Sequence, residues 1–139
     1  VIDDEPSNIR MLDRVLATFG AKVTGFTKPN DALLHLRGCS RDYDVLITDL
    51  TMPGMTGIEL TRELRTFDRY LPVIVYTGYG DDKNEANAIA AGARMMIRKP
   101  VTRRVLLRSL SVLVEEGFVA AGRDRQRDNT AGEHKKKTP

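Results

Sequence analysis

The sequence predicts a doubly wound α/β fold: a five-stranded parallel sheet covered by helices on both faces, giving a three-layer sandwich. Three observations carry this. Short apolar runs alternate with stretches of helical periodicity along the 139 residues. The third run, residues 43–48, is near-continuous in Val, Leu and Ile, as a parallel strand buried on both faces requires. Each of four runs gives way at its carboxyl end to a polar residue: Asp3 and Asp4, Asp49, Thr77, and Lys99. In an open parallel sheet those ends meet at one crevice, where ligands bind.

The elements follow in order. Val1 and Ile2 form the end of a first strand, fewer residues than the usual run of about five, so the chain is expected to be a fragment of a longer protein. After Pro6, Ile9, Leu12, Leu16 and Phe19 recur at helical spacing, and Gly20 stops that helix. Residues 22–26 make the second strand. The second helix, residues 29–37, turns Ala32, Leu33 and Leu36 inward and ends at Gly38. The third strand is followed by a helix over residues 56–66 with Ile58, Leu60 and Leu64 apolar. Residues 71–76 form the fourth strand. The fourth helix, residues 82–91, offers mainly Ala86, Ala88, Ile89, Ala90 and Ala91 to the core. At about 25 cal/mol per Å² such small side chains bury little, so this helix is expected to be the most weakly held. Residues 94–97 make the fifth strand. A Thr102 cap opens the fifth helix, which runs to about Gly117 with Val105, Leu106, Leu110 and Leu113 inward. A second apolar line on it, Leu107, Val114 and Phe118, exceeds what one buried stripe needs.

Charge narrows the function. The net charge is +3, yet residues 1–121 hold 16 basic and 16 acidic residues. The excess lies beyond Gly122, in a polar stretch with no aromatic after Phe118. Residues 118–139 are therefore expected to be a disordered basic tail, and a nucleic-acid footprint on the folded part is not expected. No apolar run is long enough to cross a bilayer and no secretory leader is visible. With one cysteine, Cys39, no internal disulfide can form. A cytoplasmic location without membrane attachment is the expectation.

Asp3 or Asp4 alone would read as helix-capping acids before Pro6. Three converging carboxylates repel one another and call for a cation. Mg²⁺, or Mn²⁺, takes oxygen ligands at about 2.0–2.1 Å and keeps some waters. Asp4 and Asp49 are expected to ligate directly, with the Thr51 carbonyl as a third ligand and Asp3 holding a bound water. The other Asp49 oxygen is then free to attack phosphorus. The Thr77 hydroxyl, the Leu50 and Gly78 N–H groups and the Lys99 ammonium would meet the developing charge. Pro100 fixes the backbone beside Lys99, and Gly78 leaves room for a phosphoryl group. Thr51 and Tyr79, each two residues beyond a reacting group, flank the approach of attacking water.

The set Asp3-Asp4-Glu5-Pro6, Asp49 through Gly57, Thr77-Gly78 and Lys99-Pro100 resembles the receiver domain of two-component response regulators over residues 1 to about 117. That resemblance implies a flavodoxin-like receiver fold with sheet order 2-1-3-4-5, one of the two common orders of the doubly wound class. It further implies Mg²⁺-dependent phosphoryl transfer from a phosphohistidine of a histidine kinase, or of a histidine phosphotransfer domain, to Asp49. Thr77 would then shift and re-seat the face built by the fourth helix, fifth strand and fifth helix, where an effector or a second copy would dock. The family usually places an aromatic three residues before the lysine; this sequence has Met96. The Val75-Tyr76-Thr77-Gly78-Tyr79 and Met55-Thr56-Gly57 segments are similar to receivers at the carboxyl end of hybrid sensor kinases; a stand-alone regulator, or one cut away from its output domain, is the alternative. Other readings share these parts. Haloacid-dehalogenase-like phosphatases use the same groups but place a second acid where Thr51 stands. An FMN carrier would not line its phosphate loop with Asp3-Asp4-Glu5. A phosphorylation-independent docking module is a third alternative.

Overall fold

The branched apolar runs form three parallel strands: β1 (Leu46–Asp49), β2 (Val73–Thr77) and β3 (Met95–Arg98). The computed structural model describes residues 1–78, 80 and 82–118. It divides into two units, Val1–Arg103 and the segment from Arg104 onward. Every residue of β1 and β2 is buried, whereas β3 buries only Ile97. The register sets Asp49 beside Tyr76 and Thr77 beside Arg98. The polar strand ends therefore fall at one level.

The predicted first and second strands are much shorter than expected. Each is reduced to a parallel bridge: Ile2 pairs with Thr48 on one side and with Phe26 on the other. The rungs are Ile2 N–H to Ile47 carbonyl at 2.8 Å, Asp49 N–H to Ile2 carbonyl at 2.9 Å, and Asp3 N–H to Phe26 carbonyl at 3.0 Å. A further bond, Phe26 N–H to the Val1 carbonyl at 2.9 Å, joins the two segments. The lateral order is still the Phe26 segment, the Ile2 segment, β1, β2 and β3. Counted along the chain, that is the expected 2-1-3-4-5.

Five helices connect these runs. Proline fits the first turn of a helix because its missing N–H would have no partner there. Both α1 (Pro6–Ala17) and α2 (Pro29–Cys39) begin this way. Gly20, at φ +77°, turns the chain after α1 as expected. Gly38 does not stop α2; the helix runs through it, and Cys39 Sγ donates back to the His35 carbonyl at 3.1 Å. Helix α3 (Gly57–Arg65) is capped by Thr56, whose Oγ1 accepts the Glu59 N–H at 3.1 Å. Helix α4 (Asp82–Ala91) buries Ala88 alone; Ala86, Ile89 and Ala90, expected to face the core, are exposed and Ala91 is half-buried, so the helix meets the core along a narrower line than its apolar content suggests. Helix α5 (Arg103–Val112) passes into a π-helical turn, Leu113–Phe118, instead of staying α-helical to Gly117. Its inward line also departs from expectation. Leu106, Ser109 and Leu113 are buried, and Val105 is exposed. Ser109 tolerates burial because its hydroxyl donates to the Val105 carbonyl at 2.8 Å. Leu107 and Val114 are exposed, as the second apolar line requires. The side chain of Phe118 and the tail beyond it lie outside the described residues.

Within the first unit one cluster joins Ile2, Leu46, Val73 and Val75 of the sheet to Ala32, Leu33 and Leu36 of α2 and to Ile58, Leu60 and Leu64 of α3. Residues of the opposite strand parity, Ile47, Ile74 and Tyr76, are buried outside it, on the other face. One polar clamp closes this unit. Arg65 at the end of α3 donates to the Gly92 carbonyl through Nε at 3.2 Å and Nη2 at 2.8 Å, and to the Asp68 carbonyl through Nη1 at 3.1 Å. Gly92 is held at φ +109°, and a Cβ there would meet Arg65 Nε at 2.8 Å.

Candidate functional site

The sheet order brings the Ile2 segment directly beside β1, so the acids after Ile2 and the acid ending β1 must meet. Carboxylate oxygens of Asp3, Asp4 and Asp49 lie within 4.8 Å of one another. Asp3 and Asp49 are buried and Asp4 is half-buried. Burial chiefly, and then the charge of Asp3, push the Asp49 carboxyl above the usual carboxylate range, while Lys99 and the Leu50 N–H pull it back. Lys99 Nζ stands 3.5 Å from Asp49 Oδ1. Three carboxylates against one ammonium leave a net negative pocket of oxygen donors, which suits a hard divalent cation.

Asp3 is both a pocket acid and a turn residue, so the capping and site readings are compatible. Its Oδ1 accepts the Glu5 N–H at 2.8 Å, where the chain turns into α1. Its Oδ2 accepts the Asn8 amide at 3.0 Å and the Tyr76 phenol. That phenol is pushed above its ordinary range by burial and then by its bond to Asp3.

Thr77 ends β2, and its carbonyl accepts the Lys99 N–H at 2.8 Å. Hydroxyl residue and ammonium residue are thus tied through the backbone. The Lys99–Pro100 peptide is cis. Gly78 is exposed, and a Cβ there would meet Lys99 Cδ at 4.0 Å, an ordinary contact. Room at this position is therefore lost only to side chains larger than a methyl. The Leu50 N–H donates to the Tyr76 carbonyl at 2.9 Å, so this expected phosphoryl donor is engaged in the sheet ladder. Thr51 is exposed in the loop after β1. Met96 is half-buried against the core. A Cβ on Gly80 would meet Thr77 Cγ2 at 2.9 Å and Met96 Cε at 3.0 Å, so Gly80 separates these two side chains. Tyr79 lies outside the described residues.

Three supporting residues escape a reading by type and spacing. Asn8 and Tyr76 look like a helix polar residue and a strand core residue, and no sequence pattern ties them to Asp3. Gly57 carries a signal in hindsight: a glycine at the first position of a helix, eight residues past the acid. A Cβ there would lie 2.3 Å from the Asp49 carbonyl oxygen, and the Gly57 N–H donates to the Leu50 carbonyl at 2.8 Å. Only a residue without a side chain lets α3 start directly behind Asp49.

Comparison with known proteins agrees with this geometry. A model of the response regulator receiver domain matches residues 1–111. The sensor protein EvgS of Escherichia coli (strain K12) is 34% identical over 120 residues, spanning 86% of this chain and 10% of EvgS. The C4-dicarboxylate transport transcriptional regulatory protein DctD of Rhizobium meliloti (strain 1021) is 34% identical over 110 residues, 78% of this chain and 23% of DctD. The chain thus spans less than a quarter of either relative. A response regulator receiver domain protein from Clostridium thermocellum superposes with a TM-score of 0.71 at 28% identity, covering 94% of each chain.

Proposed function

The chain belongs to the response regulator receiver domain family, a two-component signalling phosphoacceptor with the flavodoxin-like receiver fold, and on that premise we propose that Asp49 is the phosphoryl acceptor, fed by a phosphohistidine. The observation that carries the assignment is the convergence of Asp3, Asp4, Asp49 and Lys99 at the carboxyl ends of adjacent strands. Family membership sets aside the FMN carrier and the dehalogenase-like phosphatase. The receiver assists its own phosphorylation and dephosphorylation and turns over no separate substrate.

Asp4, Asp49 and the Thr51 carbonyl would hold Mg²⁺ or Mn²⁺, with Asp3 holding a bound water; the bound ion would supply neutralising charge and a template for the phosphoryl oxygens. Asp49 attacks phosphorus through its other oxygen as the phosphorus–nitrogen bond to histidine breaks. Lys99 shifts its ammonium from Asp49 toward the transferring group. The Thr77 hydroxyl and Gly78 N–H donate to phosphoryl oxygens, and the Leu50 N–H joins by sharing its bond to the Tyr76 carbonyl. Added charge of about −1.5 to −2 on Asp49 draws Thr77 inward. Met96, flexible and apolar, follows into the vacated space and changes how β3 and α4 present themselves to a histidine kinase, a phosphotransfer domain, an effector or a second copy. Thr51 and Tyr79 set the rate at which water reaches the aspartyl phosphate. Residues 1–117 make up the receiver and residues 118–139 a polar tail. Among the described residues no helix is long and apolar enough to cross a membrane, and we take the domain to work in the cytoplasm.

Acetyl phosphate with Mg²⁺, followed by intact mass, tests the assignment. Wild type should gain one phosphoryl group and Asp49→Asn none; a variant that still takes the label sinks it. Tyr79→Ala should hasten loss of the label.

A further inference from the structure

Tyr76 joins the acid pocket to the lysine. It is 1% exposed. Its phenol donates to Asp3 Oδ2, which also accepts the Asn8 amide at 3.0 Å, while Oδ1 takes the Glu5 N–H at 2.8 Å. A carboxylate oxygen carries two lone pairs. Both on Oδ2 are therefore occupied, one by the phenol. Lys99 Nζ sits 4.8 Å from the centroid of the same ring, within cation–π range, and 3.5 Å from Asp49 Oδ1. One buried side chain thus touches the acid expected to hold a bound water and the ammonium expected to meet the phosphoryl group.

We propose that Tyr76 is a positioning residue with two separable parts: its hydroxyl satisfies Asp3 in the metal-free pocket and competes with divalent-cation binding, and its ring seats Lys99 over Asp49. The inference rests on the reading that Asp3, Asp4 and Asp49 hold Mg²⁺. Oδ1 keeps one lone pair beside the turn into α1, and the proposal places the water bound to that ion on Oδ2, where it must share or displace the phenol. The hydroxyl therefore stabilises the metal-free pocket more than the loaded one. Without it, Asp3 keeps a buried lone pair unmatched until the ion and its waters arrive, and a buried unmatched acceptor is costly. By linkage, the variant lacking the hydroxyl gains more from Mg²⁺ than wild type does. The ring contact acts elsewhere, on where the ammonium stands when phosphorus is transferred.

Tyr76→Phe removes the hydroxyl and keeps the ring; Tyr76→Leu removes both. Mg²⁺ affinity is read from amide shifts of Asp3, Asp4 and Asp49 in the resting protein, and thermal midpoints are taken with and without Mg²⁺. Phosphorylation by acetyl phosphate is timed at saturating Mg²⁺. The Phe variant should bind Mg²⁺ about fivefold tighter or better. Its midpoint should drop in chelator and return toward wild type at saturating Mg²⁺, with a near wild-type saturated rate. The Leu variant should lose about tenfold in that rate. A Phe variant with unchanged or weaker Mg²⁺ affinity, or with a midpoint deficit that Mg²⁺ leaves intact, overturns the hydroxyl's role and shows a packing residue. Equal saturated rates for the Phe and Leu variants overturn the ring's role; should Leu fail to fold, the Phe arm still decides. Wild type with no Mg²⁺ response at these amides would overturn the metal reading itself, and that arm is scored before any variant.

Discussion

The pocket at the end of β1 and the edge formed by β3 and α4 are held in opposite ways. Around Asp49 the neighbours are buried and fixed: Asp3 accepts three donors, Gly57 seats α3 against the Asp49 backbone, and Leu50 is locked to β2. At the edge, α4 buries a single alanine, Met95 and Met96 are half-buried, and the Arg98–Asp82 ion pair at 3.5 Å stands in solvent. The contrast separates two physical demands. Gathering three carboxylates out of water is unfavourable and needs a rigid frame. A surface that changes presentation, as proposed for this edge, needs a small cost of rearrangement, which little buried area supplies.

Substitutions on the two sides should therefore differ in size and reach. The largest effect is expected from Gly57→Ala. Its Cβ would lie 2.3 Å from a backbone oxygen, which cannot swing away. A loss of about 3 kcal/mol or more by urea denaturation, with impaired phosphorylation, is expected; a loss below about 1 kcal/mol would show that the frame gives.

Next is the pH dependence of the metal-free pocket. The Asp49 carboxyl is raised, mainly by burial and against the pull of Lys99. A raised carboxyl means that the folded chain holds the proton more tightly than the unfolded one. Its stabilisation is complete below the unfolded value and is lost as pH rises through the folded value. In chelator, Asp49→Asn should be more stable than wild type at neutral pH, with the gap closing as pH falls toward about 4. A gap that widens in acid would contradict this.

On the edge, Ala88→Gly should cost about 1 kcal/mol, felt as faster hydrogen exchange confined to α4 amides. Exchange rising equally in β1 would mean that edge and pocket open together. Smallest of all, Arg98→Ala should leave the thermal midpoint unchanged, because an exposed pair is screened by water and salt.

Much of this contrast was legible in the residues. Acids, hydroxyl and lysine at the ends of apolar runs place the pocket, because strand ends must converge once the sheet is parallel. The alanine content of residues 86–91 foretells a loosely held helix, since buried area scales with side-chain size. What was not legible depends on three-dimensional neighbours. Tyr76 reads as core because it is core; that its phenol finds Asp3, 73 positions away, follows from register. The inward line of α5 runs through Ser109, a position that polarity alone would place outside, because its hydroxyl bonds its own helix backbone. The first two strands shrink to bridges at Ile2 because pairing depends on the partner segment, which a run of apolar residues does not reveal.

The guanidinium of Arg65 grips the turn just beyond the last residue of α4, whereas the first turn carries the solvent-facing Asp82–Arg98 pair. A tilt pivoting on the end held by Arg65 would carry the opposite end furthest. Ten residues span about 15 Å, so a tilt of about 10° about that fulcrum sweeps the opposite tip through roughly 2.6 Å. On the proposed switch, that displacement would fall at the tip adjoining the segment after Thr77, where a side-chain rotation would become a change of outline for a docking protein to read.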